Sequence, residues 1–428
     1  MEKEGNIQSR RSFLKGALAC GVGVASLGVV GCSSDENGNS DSSATSADAS
    51  SSSSDSSISW DAEADVVVCG SGTGGAPAAI EAHDAGAKVL VIEKKDWIGG
   101  SMRRCGGGML GADTIVQHHL GITDDSPDML YEYLLACGEG LSDPDLVRVL
   151  ADNAGKNIDW VIEDLGGQPV DEWDFSTPED KGMEICIKPG LNVSGTPVYF
   201  DKFDMPEYKM QRCHWFTENP DDIDPGDRLY SDYSGRGDGT WTGRGGTGLW
   251  KPFEESLTKR EIEIMTETEL KKLIVSDSGE VIGIIAESGG KEINIKANKG
   301  VVLATGGFTR NEEMLWDYRQ EEFEEPTEEQ MRGGGAAPGE GDGASVKAAL
   351  AVGSGIKTIA CGNGGIKINT DAQVLDVFGE PIPRLYASSK AIGGIYGNIY
   401  PSCGAYISAF VCFGRIAGKN AGLLESSH

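Results

Sequence analysis

Three glycines and one glutamate have the residue types and the spacing needed to hold a diphosphate and a ribose. Gly70, Gly72 and Gly75 form a Gly-x-Gly-x-x-Gly pattern, and Glu93 ends the apolar run that follows. In such a pattern the first glycine makes a tight turn, the second lets the backbone approach a diphosphate, and the third allows a helix to pack closely on a strand. The carboxylate accepts hydrogen bonds from ribose hydroxyls. These residues could therefore bind a dinucleotide.

The flanking sequence indicates the elements that must position these residues. Residues 65–69 form a short apolar run typical of a buried parallel strand, and residues 76–85 have helix-forming composition. The sequence KVLVIE then predicts a second buried strand that ends at Glu93. A helix that begins directly after the glycines directs its N-terminus at the phosphate charge. The order of strand, helix, strand and terminal acid predicts dinucleotide binding, which the glycine pattern alone would indicate only weakly.

The segment WIGGSMRRCGGGML, residues 97–110, indicates which dinucleotide is bound. It resembles the segment that runs past the flavin ring in the fumarate reductase/succinate dehydrogenase flavoprotein superfamily. Three later segments resemble that superfamily in the same order, namely GVVLATGGFTRNEEM, GEGDGASVKAALAVGSGI and GGIKINTDAQVLDVFGEPIPRLYASSKAIGG. They correspond to its strand returning to the FAD, its Gly-Asp-Gly with a following helix, and its closing hairpin with the flavin-approach loop. The matches cover most of residues 65–110 and 257–422.

The resemblance implies an α/β fold, a three-layer Rossmann-like FAD-binding domain with a parallel sheet, and FAD as the cofactor. The histidine to which the respiratory members attach their FAD has no counterpart near Gly100, so we expect noncovalent FAD. No metal site is expected. With the glycine pattern, the resemblance assigns FAD binding to Gly70, Gly72, Thr73, Gly74, Gly75, Glu93, Lys94, Gly100, Ser101, Gly106, Gly107, Gly108, Ala304, Thr305, Gly306, Asp342 and Ala405.

The chain departs from the superfamily's usual architecture after the Gly-Asp-Gly helix. Members normally carry a capping domain there, but here Ile356 is followed almost at once by CGNGGIKINT. We predict an FAD-binding domain from residues 61–167 and 248–428, with a helical and irregular insertion, residues 168–247, that covers the substrate instead of a cap. A surface or packing role is the default for any single residue of the insertion. Its candidates for lining the substrate are Arg212, His214, Trp215, Tyr230, Tyr233, Trp241 and Arg244.

The segment GIYGNIYPSCGAY, residues 394–406, overlaps the start of a predicted helix over residues 405–420. Set against the corresponding motif of the fumarate reductases, Tyr396 replaces a histidine and Tyr400 replaces the substrate-binding arginine. Cys361 replaces a further dicarboxylate-binding histidine. Groups that would clamp a carboxylate by charge-assisted hydrogen bonds have thus become neutral. A small dicarboxylate substrate is therefore disfavoured.

The same segment resembles the 3-oxosteroid dehydrogenase branch, whose Tyr-Pro-x-x-Gly motif precedes the same helix. The resemblance implies that the Tyr400 hydroxyl and the Gly404 N–H are the catalytic donors that hold the substrate's ketone oxygen. Hydride movement between the flavin and the carbon β to a carbonyl places negative charge on that oxygen, and two aimed donors stabilise it. Tyr396 matches no donor of this branch. The alternative is that Tyr400 only packs under the flavin.

Two further features of the resemblance concern the flavin end of the site. The predicted helix over residues 405–420 would point its positive end at the flavin pyrimidine and favour anionic reduced FAD. The superfamily's Ala-Ala-Gly-Glu near the flavin is here Ala387-Ser-Ser-Lys390, so its acidic ligand is replaced by a lysine or lost. The second catalytic tyrosine of the steroid enzymes lies on their cap, and Tyr230 or Tyr233 could take its place.

The first sixty residues predict export rather than a part of the fold. SRRSFLKG, residues 9–16, has the twin-arginine pattern, and the apolar run after it is too short for a stable transmembrane helix. The following VVGCSS resembles a lipobox, which predicts a signal over residues 1–31 and lipidation of Cys32. Residues 32–60 are Ser/Asp-rich and predict a disordered tether. We expect an extracytoplasmic protein anchored to the cell membrane by lipid alone; the alternative is a plain export signal cleaved elsewhere.

Composition and cysteine spacing limit the partners. The chain has 37 Lys+Arg against 67 Asp+Glu, a net charge of -30, which disfavours a nucleic-acid partner. No Cys-x-x-Cys pattern is present, so haem and iron–sulfur sites have no support in the sequence. Electrons would then pass to or from a separate carrier, such as a cytochrome or a quinone-linked protein.

These features favour an exported FAD oxidoreductase that acts on a carbon–carbon bond conjugated to a carbonyl, as an enone reductase or a 3-oxosteroid-type dehydrogenase. A second hypothesis is a fumarate- or urocanate-like reductase of unsaturated carboxylates, in which Arg212, His214 or Arg244 would bind the acid. A third is a flavin-binding protein that lost its catalytic activity together with its cap.

Overall fold

The structure, a computed structural model, describes residues 58–105, 107–119, 121–165, 212–216, 246–318, 341–357, 364–397, 400–401 and 404–426. These residues belong to one compact unit, Ser52–His428. The predicted signal, Cys32 and most of the predicted tether lie outside the described residues, as do most of the predicted insertion and Gly106, Tyr230, Tyr233, Trp241, Arg244 and Cys361. Among the described residues, no helix is both long and apolar enough to cross a bilayer.

The elements alternate between strands and helices along most of the chain. The strands are β1 (Ala62–Cys69), β2 (Val89–Ile92), β3 (Gly108–Leu110), β4 (Cys213–Trp215), β5 (Glu263–Met265), β6 (Thr268–Val275), β7 (Val281–Ser288), β8 (Lys291–Leu303), β9 (Ile356–Lys357), β10 (Gly365–Ile366), β11 (Gln373–Leu375) and β12 (Pro381–Ala387). The α-helices are α1 (Gly75–Asp84), α2 (Ile115–His119), α3 (Pro127–Gly138), α4 (Pro144–Glu163), α5 (Gly246–Lys259), α6 (Glu312–Tyr318), α7 (Ala344–Ala351) and α8 (Ala405–Leu423). Short 3₁₀ helices span Gly100–Arg104 and Ser389–Ala391.

Strand β1 lies at the centre of the main sheet, whose order is β11-β12-β8-β1-β2-β5. It pairs in parallel with β2 on one side and with β8 on the other, and β5 and β12 extend the parallel part. Strands β6, β7 and β11 join it in antiparallel pairs. Parallel strands covered on both faces are near-continuous apolar runs, as β2 and the second half of β1 are. The predicted α/β fold with a mainly parallel sheet is confirmed.

The carboxyl ends of the central strands meet at one edge of this sheet. Cys69 at the end of β1 lies opposite Ile92 of β2 and Leu303 of β8, and Leu303 lies opposite Ala387 of β12. The residues that follow these four strand ends are therefore neighbours although they are far apart in sequence. In open α/β sheets this edge is where ligands bind.

Helices α1 and α8 pack together through glycines. A Cβ at Gly414 would lie 2.5 Å from the Gly74 carbonyl oxygen, and one at Gly418 would lie 2.0 Å from the Ala78 carbonyl oxygen. At Gly422 the corresponding distance to the Ala82 carbonyl oxygen is 2.9 Å. Glycines four residues apart lie on one helix face, so α8 approaches the backbone of α1 along most of its length.

Helices α3 and α4 pack beside this core. Helix α4 begins at Pro144, where the Asp143 carboxylate accepts a hydrogen bond from the Asp145 N–H. Further along the chain, residues 352–364, which include β9, separate α7 from β10. This connection is too short to contain a capping domain, because domains rarely have fewer than about 50 residues.

Candidate cofactor and catalytic site

The glycine-rich turn between β1 and α1 brings backbone groups close together. Gly70 has a φ of 101°, and a Cβ there would lie 2.5 Å from the Ala304 carbonyl oxygen. A Cβ at Gly75 would lie 1.8 Å from the Gly70 carbonyl oxygen. Gly72 differs, because among the described atoms a Cβ there would meet the Gly99 carbonyl oxygen at an ordinary 3.6 Å. The turn thus needs glycine for packing at Gly70 and Gly75, whereas Gly72 keeps its backbone accessible.

The carboxylate of Glu93 is buried and fixes the turn. Its Oε2 accepts hydrogen bonds from the Ser71 N–H at 3.1 Å and from the Ser71 hydroxyl at 2.6 Å. Its Oε1 accepts one from the Lys95 N–H at 3.1 Å, and the Ser71 hydroxyl in turn accepts one from the Gly99 N–H at 3.0 Å. A carboxylate can accept about four hydrogen bonds, so Glu93 can hold the turn and also accept from a ribose.

A cavity of about 240 Å³ lies at the carboxyl edge of the sheet. Of the residues that the sequence assigns to the cofactor, it is lined by Gly70, Gly72, Thr73, Glu93, Lys94, Gly100, Ser101, Ala304, Thr305, Gly306 and Asp342. The cavity is also lined by residues that have no predicted cofactor role, namely Ser71, Ile92, Cys105, Thr268, Glu269, Leu270, Gly307, Thr309, Gly341, Ala344, Ser389, Lys390 and Phe410. The structure therefore brings most of the assigned residues together around one space.

An ion pair joins two distant segments at this cavity. The Lys94 ammonium lies 2.7 Å from the Asp342 carboxylate, which also accepts a hydrogen bond from the Ala344 N–H at 3.0 Å. Burial alone would raise the pKa of Asp342, but the contact with Lys94 outweighs it, and the pKa is lowered. The pair fixes the Gly-Asp-Gly segment beside the end of β2.

The remaining assigned residues lie around the cavity rather than in its wall. Gly74 and Gly75 start α1 behind the turn, and Ala405 is the buried first residue of α8. Gly107 and Gly108 lead into β3, which pairs with β4. The structure thus does not place these five in the cavity wall; its described residues do not include Gly106.

The catalytic candidates lie against the start of β3. Gly404 has a φ of 79° and immediately precedes α8, and a Cβ there would lie 2.5 Å from the Gly108 carbonyl oxygen. Tyr400 precedes Pro401 in the same segment. The hydroxyl of Tyr133 donates a hydrogen bond to the carbonyl of Pro401 and so holds this segment on α3. The segment expected to run past the flavin and the segment expected to hold the substrate are therefore in contact.

A row of aromatic rings connects Tyr400 with the cavity. The ring centroids of Tyr400 and Tyr406 are 4.7 Å apart, and those of Tyr406 and Phe410 are 5.9 Å apart and nearly parallel. Phe410 lines the cavity wall. Tyr396 is buried instead, and its hydroxyl donates to the Ala405 carbonyl at 2.5 Å. Tyr396 is therefore a structural residue that holds the first turn of α8.

Two residues expected as candidates for lining the substrate site are buried, and neither lines the cavity described above. Arg212 is 1% exposed and donates to both oxygens of Asp125, from Nε at 2.9 Å and from Nη2 at 2.5 Å. His214 is fully buried, contacts the Thr114 hydroxyl at 2.9 Å, and burial lowers its pKa to about 4. These contacts disfavour Arg212 and His214 as acid-binding residues, because a buried charge needs its partner and a neutral histidine carries no charge.

The chain matches the FAD binding domain family over residues 65–360. It belongs to this family. The cofactor is FAD, as the sequence predicted, and the residues present fit it. The open backbone at Gly72 and the N-terminus of α1 can receive a diphosphate, and Glu93 can receive a ribose.

The curated relatives come from both branches of the superfamily that the sequence resembles. The chain is 28% identical over 256 residues to the NADH:fumarate oxidoreductase of Klebsiella pneumoniae, which covers 59% of this chain and 21% of the relative. It is 27% identical over 285 residues to the 3-oxosteroid 1-dehydrogenase of Comamonas testosteroni, which covers 59% of this chain and 48% of the relative. The predicted resemblance is confirmed, and the chain spans less than half the length of these two relatives.

A solved structure shows the same fold. The 3-ketosteroid-delta4-(5alpha)-dehydrogenase from Rhodococcus jostii RHA1 superposes with a TM-score of 0.67 at 22% sequence identity, over 86% of this chain and 99% of that chain. At this identity the similarity establishes the fold and not the reaction.

Proposed function

We propose that the protein is an FAD-dependent oxidoreductase that acts on a carbon–carbon bond conjugated to a carbonyl, as an enone reductase or a 3-oxosteroid-type dehydrogenase. The observation that carries the proposal is the contact of Gly404 with Gly108, together with the aromatic row from Tyr400 to the cavity. It supports a substrate position beside the point where the flavin segment meets the Tyr400 segment. The steroid dehydrogenase among the relatives agrees with it.

The residues of this chain have separate tasks in such a reaction. The bound FAD supplies or accepts the hydride. Tyr400 and Gly404 donate hydrogen bonds to the carbonyl oxygen of the substrate, on which negative charge develops as the β carbon gains or loses hydride. Tyr396 and Tyr133 position them, by fixing Ala405 and Pro401 respectively. Because the two donors are held before the reaction, little reorganisation is needed when the charge appears.

An unsaturated carboxylate is the alternative substrate class, and the fumarate oxidoreductase among the relatives favours it. A carboxylate needs a cation or several aimed donors in the site. Two of the three residues considered for this task, Arg212 and His214, are committed to a buried network. We therefore rank this class second.

The electron carrier and the location are part of the proposal. We infer a separate cytochrome or quinone-linked partner, because the sequence contains no haem or iron–sulfur motif. The twin-arginine pattern and the lipobox support an extracytoplasmic protein that is anchored by lipid at Cys32.

Anaerobic flavin reoxidation separates the three functional hypotheses. The purified protein is reduced by a low-potential donor and then mixed with enones and 3-oxosteroids, or with fumarate, acrylate and urocanate. Reoxidation by the carbonyl compounds supports the proposal, and reoxidation by the carboxylates alone supports the second class. For the dehydrogenase direction, the oxidised protein is mixed with saturated 3-oxosteroids and flavin reduction is followed. A flavin that is inert in all arms would overturn the proposal in favour of a non-catalytic protein.

A further inference from the structure

Lys390, which stands where the superfamily has an acidic ligand near the flavin, is a cation in the cavity wall. It lies in the 3₁₀ helix Ser389–Ala391, which directly follows β12. It lines the same cavity as Gly72 and Thr73 of the glycine-rich turn. The parallel pairing of β12 with β8 and of β8 with β1 brings this late segment to the turn, because all three strands end at one edge.

The backbone that carries Lys390 is held on both sides. The Ser388 N–H donates to the Leu303 carbonyl at 2.9 Å, and the Ser388 hydroxyl donates to the Phe410 carbonyl at 2.8 Å. Ser389 has a φ of 70°, a left-handed conformation that non-glycine residues adopt only when their surroundings enforce it. Lys390 therefore projects from a fixed support, and not from a loop that is free to move away.

The backbone immediately before Lys390 contacts the residue that precedes α1. A Cβ at Gly74, the residue before the first turn of α1, would lie 2.5 Å from the Ser389 backbone nitrogen. On the other side, a Cβ at Gly307 would lie 3.1 Å from Cγ of Lys390, so the alkyl chain of the lysine runs over Gly307. A helix N-terminus attracts anions, and a lysine in the wall of the same cavity adds a full positive charge.

The other charged groups of the cavity already have partners. Glu93 accepts from the Ser71 and Lys95 backbone, Lys94 pairs with Asp342, and Glu269 pairs with Lys271. Among the residues that the structure describes, the Lys390 ammonium has neither a hydrogen bond nor an ion pair. Burial lowers the pKa of Lys390, because it disfavours the charged ammonium. An anion beside the ammonium would stabilise this charged form.

We propose that Lys390 binds the diphosphate of FAD, as a cationic ligand beside the N–H groups of α1. A dinucleotide diphosphate carries two negative charges, and Lys390 is the described lysine of the cavity wall that is not already paired with a carboxylate. An ammonium acts on a phosphate as a point charge, which suits a site whose orientation is already set by backbone donors. The site would take any adenine nucleotide that carries a diphosphate.

The test compares the FAD dissociation constants of full-length variants that are purified with their cofactor. Flavin released on dilution is measured by its fluorescence, at low and at high NaCl. We expect Lys390→Met to weaken FAD binding by about tenfold to a hundredfold, the usual range for a hydrogen bond to a charged group, and Lys390→Arg to restore most of it. Lys419→Met is the matched control, because Lys419 is exposed on α8 and does not line the cavity.

Competition experiments show which part of FAD the lysine contacts. ADP contains the diphosphate and lacks the flavin, whereas adenosine lacks both. We expect Lys390→Met to weaken the displacement of FAD by ADP by the same factor as FAD binding itself, and to leave adenosine binding unchanged. Weaker FAD binding with unchanged ADP binding would overturn the proposal, because the lysine would then act on another part of the cofactor. Unchanged FAD binding would overturn it as well.

If circular dichroism shows that Lys390→Met does not fold, a salt titration of a second variant provides the test. NaCl should weaken FAD binding more steeply in the wild type than in Lys390→Gln, which keeps a polar side chain without the charge. Equal slopes would overturn the proposal. None of these measurements uses a substrate, so they do not depend on the proposed reaction.

Discussion

The hydroxyl of Tyr400 is the group on which the proposed chemistry depends most. If it donates to the oxygen that gains charge, Tyr400→Phe should lower the rate of the half-reaction between flavin and substrate by about a hundredfold or more. Substrate affinity should fall less, because the hydrogen bond strengthens as the charge develops. FAD should remain bound, since Tyr400 does not line the cofactor cavity. Anaerobic stopped-flow absorbance of the flavin measures both the rate and the affinity.

The control for this change must be a tyrosine without a role in the site. Tyr396 does not qualify, because its hydroxyl holds the first turn of α8 through the Ala405 carbonyl. Tyr131 does qualify, because its ring packs under the Arg148 guanidinium at 4.6 Å, away from the cavity wall. Tyr131→Phe should leave the rate unchanged. If Tyr400→Phe acts no more strongly than Tyr131→Phe, or if it releases FAD, Tyr400 is a packing residue.

Two glycines of the same turn should respond differently to a side chain. At Gly72 a Cβ has ordinary room, so Gly72→Val should fold but lose FAD, because the side chain blocks the approach of the diphosphate. At Gly75 a Cβ would lie 1.8 Å from the Gly70 carbonyl oxygen, so Gly75→Val should lower the free energy of unfolding itself. Flavin absorbance after purification and thermal unfolding by circular dichroism separate the two effects. A yellow Gly72→Val protein would show that the diphosphate lies elsewhere.

Single residues were predictable from the sequence where a local pattern carries the chemistry. Gly70, Gly72 and Glu93 belong to one strand–helix–strand unit, so their positions follow from neighbouring residues. Thr268 and Leu270 line the same cavity but come from a distant segment, and no spacing rule links them to the turn. Only the strand order of the sheet brings them there.

At the scale of elements, the contact between α1 and α8 determines where the N-terminus of α1 points. Ala has a higher helix propensity than Gly by about 1 kcal/mol, so Gly418→Ala would stabilise an isolated α8. Here the added Cβ would lie 2.0 Å from the Ala78 carbonyl oxygen, and we expect the free energy of unfolding to fall by about 1–3 kcal/mol instead. Denaturant unfolding measures it, with Lys419→Ala on the exposed face of the same helix as the control. A stabilised Gly418→Ala protein would mean that the two helices are not in contact.

The pairing of strands β3 and β4 could not be predicted from the sequence. The residues of β4 come from the segment expected to cover the substrate, and their polar side chains suggested a lining role. In the structure β4 pairs with β3, and this places His214 beside Thr114. Nearby, Arg212 reaches Asp125. The sequence contains no signal for this pairing, because a buried ion pair between distant residues looks the same as two exposed charges. The helix start at Pro144, in contrast, was predictable from its own capping residue.

At the scale of the whole molecule, the net charge and the N-terminal segment both affect where in the cell the protein is expected to reside. The net charge of -30 disfavours binding to anionic surfaces by electrostatics. Attachment to a membrane is therefore expected to depend on the lipid that the lipobox pattern predicts at Cys32. The predicted tether between Cys32 and the folded unit would hold the FAD-binding unit clear of the lipid headgroups.

The location is therefore expected to depend on two separate sites in the first residues of the chain. Replacing Arg10 and Arg11 by lysine should leave the protein in the cytoplasm, because the twin-arginine pattern is recognised by a receptor and not by charge alone. Cys32→Ser should be exported but recovered in soluble form, since a protein without acyl chains loses the buried CH₂ groups that anchor it. Cell fractionation followed by immunoblotting measures both outcomes, and Cys20→Ser within the predicted signal is the matched control that should stay anchored. A Cys32→Ser protein that remains in the membrane after export would contradict lipid anchoring at this residue, whereas a lysine variant that is still exported would contradict the twin-arginine route.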